Sequence, residues 1–182
     1  MRKRIFTLLA ALCLLLCLLP TAAFASQTGS KTDESRSFKF DLSAGGASEV
    51  RATSGETITV TLVRKRTDAQ ESADMYGMQT EIEYDDTFLQ LVDGSVMTAP
   101  GIRWSDFGRR TGGRAVYLNF VAFKGGEAWE PEVVVGSFQM KVIGTKGVSQ
   151  LIPTNTLVST QDGVAGFTVK DYSVSVIVTT DC

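Results

Sequence analysis

Gly77-Met78-Gln79-Thr80-Glu81-Ile82-Glu83-Tyr84-Asp85 is the stretch that decides the fold. Met78, Thr80, Ile82 and Tyr84 alternate with Gln79, Glu81 and Glu83, a period of two residues. A strand sends successive side chains to opposite faces, so this pattern gives one face to a core and the other to solvent. Tyr84 reads as a core aromatic, and Asp85 as the turn residue that ends the strand. The same period continues outward. Ile58, Val60 and Leu62 share a face of Thr57–Leu62, and Val174, Val176 and Val178 share one of Ser173–Val178. Phe38–Leu42, Leu89–Val92, Ile102–Phe107, Ala115–Phe123, Val133–Val142 and Leu151–Val158 are further strands by their β-branched and aromatic content.

Turn signals separate these runs: Gly45-Gly46, Ser54-Gly55, Asp93-Gly94, Pro100-Gly101, Gly112-Gly113, Gly125-Gly126 and Asp162-Gly163. Thr111-Gly112-Gly113-Arg114 between two strands marks a hairpin. No segment carries an amphipathic helical pattern. Many short strands with such punctuation make an all-β domain, a sandwich or a barrel.

The N-terminus has a different texture. Arg2, Lys3 and Arg4 precede an apolar run, Ile5 to Leu19, then Pro20 and Ala23-Phe24-Ala25. This is the three-part pattern of a cleaved secretory signal over residues 1–25. The run is shorter than the ~20 residues of a bilayer span, so no membrane span is expected in the mature chain. Cys13 and Cys17 follow leucines rather than small residues, which argues against a lipid-attachment site. Residues 26–36 are small, polar and charged and read as a flexible leader to a domain over 37–182. Removing Arg2, Lys3 and Arg4 takes the 18 basic residues to 15 against 20 acidic ones, a net charge of −5. Nucleic acid and anionic membranes are thus poor candidate partners. Hydrophobic content of 43% with 21% charged residues describes a globular chain rather than a disordered one. Cys182 would be the one cysteine of the mature chain, which leaves no internal disulfide and no zinc-ligand spacing.

Catalytic chemistry finds little to work with. The sequence has no histidine, which removes Ser-His-Asp and Cys-His arrangements and most zinc and copper sites. No nucleophile elbow, phosphate loop, dinucleotide fingerprint or calcium loop is present. Glu81 and Glu83 share a strand face about 6–7 Å apart, a spacing open to glycoside hydrolysis but also that of a solvated outer face. Arg109, Arg110 and Arg114 surround a hairpin tip and read as solvated, with an acidic partner as the sharper alternative. Ala115–Phe123 is apolar on both faces. Val116, Leu118, Phe120 and Ala122 form one; Tyr117, Asn119, Val121 and Phe123 form the other. One face must enter the core, and the other is either covered by a loop or is an interaction surface. Trp104 and Trp129 fall in or beside loops, where they either plug a core edge or stack sugars.

In order and punctuation these strands resemble a cohesin domain, of the superfamily that also holds several cellulose-binding modules. Gly55-Glu56-Thr57 to Leu62 is similar to the family's opening strand. Gly77 to Asp85 resembles its third strand, ending in Tyr-Asp, and Asp86-Thr87-Phe88-Leu89-Gln90-Leu91 continues it. Pro100-Gly101 resembles the Pro-Gly after the fourth strand, Gly136 to Val142 the late Phe-x-x-Lys-Val strand, and Ser173–Val178 the closing one. The likeness runs from about Phe38 to Val178. Arg64-Lys65-Arg66 and the loop around Glu127 to Pro131 depart from the family pattern. The resemblance implies a nine-strand, jelly-roll-like sandwich without catalysis or cofactor, which binds dockerin modules through one sheet face. Carried over, that face would present Gln79 and Glu81 from the third strand, Trp104 from the fifth, and Tyr117 and Asn119 from the sixth. Val121 belongs to the same apolar face. The family's polar pair on the third strand is Gly77 and Gln79 here. The expected function is a secreted, non-catalytic module attached to a protein partner, a dockerin-like module or a surface protein. A polysaccharide ligand or a spacer role in a larger surface protein are the alternatives. The exported chain is expected to begin at Ser26, which N-terminal sequencing of the secreted protein checks; an intact Met1 would contradict it.

Overall fold

The computed structural model describes residues 38–66, 73–123, 125–161, 163–167 and 174–179. The signal segment 1–25, the leader 26–36 and Cys182 lie outside the described residues. The described chain is all strand and turn, with thirteen strand segments in two sheets. The two-sheet sandwich is the expected architecture. Its segment count exceeds nine partly because some pairings are only two or three residues long.

One sheet is ordered β1 (Phe38–Ala44), β3 (Thr57–Arg66), β10 (Glu132–Val142) and β5 (Leu89–Leu91), with β6 (Met97–Thr98) also on β10. The other is ordered β2 (Glu49–Thr53), β13 (Val174–Thr179), β11 (Gly147–Thr160), β4 (Ala73–Tyr84), β8 (Arg114–Val121) and β7 (Arg103–Gly108). To this second sheet β12 (Gly163–Phe167) adds on β11 and β9 (Glu127–Trp129) on β4. Pairing is antiparallel except between β13 and β2. The segments β2, β9 and β12 carry too little apolar alternation to be read from sequence; each is held in place by the strand it pairs with.

The core follows from the period of two. Phe40, Val60, Leu62, Phe138, Met140 and Val142 from one sheet meet Met78, Ile82, Val116, Leu118, Leu151 and Val176 from the other. All are buried, and burial of such side chains is the main favourable term in folding. β3 adds an unexpected member to this face, since alternation after Ile58, Val60 and Leu62 brings Arg64 inward. Arg64 is 0% exposed. Its guanidinium carbon lies 5.2 Å from the Phe38 ring centroid and 5.3 Å from that of Trp129. Trp129 also packs on Phe120 at 4.9 Å between ring centroids. It therefore plugs a core edge and is no sugar platform.

The Tyr84-Asp85 element ends β4 as its sequence suggests. Tyr84 is buried, while the exposed Asp85 accepts from the Thr87 amide at 2.9 Å and the Thr87 hydroxyl at 2.6 Å. This is an Asx turn. The β7–β8 hairpin closes through the Arg109 amide to the Gly113 carbonyl at 3.0 Å. Gly112 and Gly113 have φ of 93° and 72°, which L side chains rarely adopt. They differ in surroundings. A Cβ at Gly112 would meet nothing within 4 Å, but one at Gly113 would lie 2.6 Å from the Tyr84 carbonyl oxygen. Gly112→Ala should cost about 1 kcal/mol from backbone strain alone, and Gly113→Ala roughly 2–3 kcal/mol. Urea midpoints of the two variants check the order; equal losses would show that the Tyr84 contact does not matter.

Candidate interaction face

The outer face of the second sheet collects most of the residues expected at the site. In the β4–β8 register Gln79 faces Asn119, Glu81 faces Tyr117 and Gly77 faces Val121. Cross-strand partners point to the same side of a sheet. Gln79, Glu81, Tyr117, Asn119 and Val121 therefore share one face, with Leu157 of β11 beside Gln79. Val121 is 54% exposed and Leu157 40%. Of the two apolar faces of β8, Val116, Leu118 and Phe120 enter the core, and the face of Tyr117, Asn119 and Val121 is left open. Trp104 does not join them. It is in register with the buried Leu118, which sets it on the opposite side of the sheet at the edge strand β7, 43% exposed.

A depression of about 230 Å³ lies in this face. Gly77 is part of its lining, with Gln79, Tyr117, Asn119, Val121 and Leu157 around it. A second hollow, about 480 Å³, adjoins it across β8 and shares Asn119 and Val121 with it, adding Arg103 and the exposed Phe123. A hollow of about 560 Å³ lies toward the β7–β8 turn, lined by Glu83, Gly113, Arg114 and Gln150 among others.

The carboxylates of the face are consumed internally, which corrects the reading of Arg109 and Arg114 as solvated, while Arg110 is exposed. Arg109 reaches back from the turn, its Nη1 2.5 Å from Glu81 and 2.9 Å from Glu83. Asn155 Nδ2 donates to Glu81 at 3.0 Å, and the Thr154 hydroxyl to Glu83 at 2.7 Å. Gln79 Nε2 donates to the Asn155 carbonyl at 3.2 Å. Arg114 is held by Asp106 in a two-pronged pair, with Nη2 to Oδ2 at 2.8 Å and Nε to Oδ2 at 3.0 Å. Glu81 and Glu83 are thus neither a simple solvated face nor a free carboxylate pair, because one guanidinium bridges them. Among the described residues the Tyr117 hydroxyl and the Asn119 amide have no hydrogen-bond partner, and no group of side chains is arranged to hold a metal ion.

Asn155 owes its place to a bulge. The β11–β4 register shifts between Thr154 and Leu157, and Asn155 takes φ of 50°. Asparagine tolerates that conformation better than most residues. Pro153 sits just before the bulge. It lies between the stretch of β11 paired with β13, Gly147–Leu151, and that paired with β12, Thr156–Thr160. On that edge no ladder donor is asked of it. A proline and an asparagine inside a strand pattern were the sequence signals for this irregularity. Nothing local marked Arg109 as the bridge, since it acts across 28 residues of chain.

Comparison with protein-family models and with curated sequences returns no match. Solved structures do match. A cohesin module of a Clostridium perfringens family 33 glycoside hydrolase aligns over 79% of this chain and 98% of its own, at 12% identity and a TM-score of 0.58. A type I cohesin of Pseudobacteroides cellulosolvens aligns over 79% and 94%, at 17% identity and 0.56. A chain of a type I cohesin–dockerin complex of Clostridium thermocellum aligns over 78% and 94%, at 12% identity and 0.56.

Tyr84 links the core to the edge strand β7 through a titratable group. Its hydroxyl donates to Asp106 Oδ1 at 3.0 Å. Burial, then the Asp106 charge, pushes the phenol up to about 12. The folded state thus holds this proton when the unfolded state has released it. The stabilising contribution is complete below pH 10 and is lost as pH rises through about 12. Tyrosinate absorbance should show one late-ionising phenol that disappears in Tyr84→Phe; an unchanged alkaline titration would contradict the assignment. In fold, the chain is a cohesin-type β-sandwich.

Proposed function

We propose that this chain is a secreted, non-catalytic, cohesin-like module that attaches to another protein through the outer face of β4, β8 and β11. The observation that carries this reading is the open side of β8. Tyr117 and Asn119 stand there with uncommitted polar groups beside the exposed Val121. Amphipathic aromatics and amides around an apolar patch are the make-up of a protein interface core and rim. The cohesin fold, and its occurrence in a cohesin–dockerin complex of Clostridium thermocellum, support a dockerin-like or other surface protein as the partner. The absence of histidine and the bridging of Glu81 and Glu83 by Arg109 support a binding role over hydrolysis. The export pattern of residues 1–25 supports an extracellular or cell-surface site of action.

A polysaccharide ligand has one observation in its favour, the exposed Trp104. It lies on the other side of the sheet from Tyr117, so the two cannot form one stacking platform.

Immobilised protein should capture a partner from spent medium or cell-wall fractions. Tyr117→Ala with Asn119→Ala should weaken that capture by about tenfold or more, with the unfolding midpoint little changed. Full retention of every partner by the double variant would move the site elsewhere. Saturable quenching of tryptophan fluorescence by a polysaccharide would favour the second reading.

A further inference from the structure

Gly77 lies within β4, paired on both sides, opposite Val121 of β8 and Ser159 of β11. Mid-strand glycine weakens a sheet and often marks a place where something approaches the backbone closely. The fold itself does not ask for it. Its backbone is outside the left-handed region, and a Cβ would meet only the Phe120 carbonyl oxygen at 3.5 Å and the Ser159 Cβ at 3.7 Å, ordinary contacts. An alanine would fit. What the missing side chain leaves is the depression of about 230 Å³.

The chemistry of that depression is specific. Val121, Leu157 and the Tyr117 ring supply carbon to its lining, while Gln79 and Asn119 bring neutral amides. The nearest carboxylates, Glu81 and Glu83, are both bridged by Arg109. Arg103, in register with Asn119, lines the neighbouring hollow and not this one, so a charged group seated here would lose hydration with no counter-charge in its lining. Charge complementarity therefore selects an uncharged occupant, and the volume suits a branched aliphatic side chain. Interfaces concentrate their affinity in such anchors, seated in a pocket and ringed by polar groups that exclude water.

We propose that Gly77 is a specificity-determining residue, whose missing side chain forms a socket for one aliphatic side chain, of leucine or isoleucine size, from the protein partner. This rests on the attachment reading above. It assigns the anchor of the interface to a vacancy on this chain and the knob to the partner.

The test uses the full chain with N-acetyl-leucinamide as probe, followed by amide chemical shifts. Wild type should show saturable shifts centred on Gly77, Gln79, Asn119 and Leu157. Gly77→Leu fills the socket and should abolish them, and Gly77→Ala should reduce them while leaving the fold least disturbed. N-acetylaspartate should give no saturable shift at these residues in any of the three proteins. The absence of a saturable response to the leucine probe in wild type, or an equal response in Gly77→Leu, overturns the socket. With a captured partner, Gly77→Leu should weaken binding at least about tenfold with no loss of thermal stability. If Gly77→Leu binds normally while Tyr117→Ala with Asn119→Ala does not, the socket fails and the attachment face stands. If nothing binds the face but the probe fills the socket, the attachment reading fails instead.

Discussion

Everything on the proposed face depends on β4 being paired along both edges. With β11 on one side and β8 on the other, its register cannot slip by one residue without exchanging core for surface. That constraint sends Met78, Ile82 and Tyr84 into the sandwich and leaves Gln79, Glu81 and Glu83 on the outside. It also transmits the same choice to its neighbours. Leu118 must go in because it faces Thr80, and Tyr117 must go out because it faces Glu81. The interaction surface is therefore the complement of the core.

A sheet face with two carboxylates on successive outward positions would repel itself. Arg109 removes that repulsion by spanning both, and Thr154 and Asn155 occupy further lone pairs. At 17% to 27% side-chain exposure these groups are shielded enough for the pairing to hold geometry. The result divides the face. Its end near the hairpin is a closed polar network, and its depression near Gly77 is lined by no charged side chain, with apolar carbon and the unpaired Asn119 amide. A partner reading this surface meets shape and hydrophobic contact first, with little long-range charge to steer it.

The alternation in Met78–Tyr84, Thr57–Leu62 and Val174–Val178 was legible because each of those strands has one face in the core. The period of two reports that environment directly. Strand β8 was harder, being apolar on both faces, and only its register with β4 shows which face is open. Trp104 lies on the other side of the sheet from where the resemblance puts it, and its own sequence could not correct this. Its strand is an edge with six residues and little burial, so its sequence carries no alternation to fix its phase. Trp129 and Arg64 illustrate the other limit. Each is defined by a partner far along the chain, and local pattern is silent on such contacts. The Glu81–Glu83 spacing was visible, yet the arginine that neutralises it was not.

Arg64 also shows how a core tolerates a residue that composition would place outside. Burial, and next the neighbouring Arg66, pull its pKa down to about 10, so the group stays charged at neutral pH. Its Nη2 donates to the Glu130 carbonyl, but Nε and Nη1 are buried without a partner among the described residues. Unmet donors of this kind cost stability. The flat, weakly hydrated guanidinium offsets part of that cost by lying near the rings of Phe38 and Trp129. Lysine could not do the same, since its compact ammonium would keep a stronger claim on water. The arrangement fixes three otherwise separate pieces against one another: the start of β1, the end of β3 and the short strand β9. In a described domain that holds no cysteine, such a cation–aromatic contact does at one end of the sandwich what a covalent bridge could do elsewhere. It ties Trp129 of β9 to the core, and through Phe120 to the inner side of the strand whose outer side carries Tyr117 and Asn119.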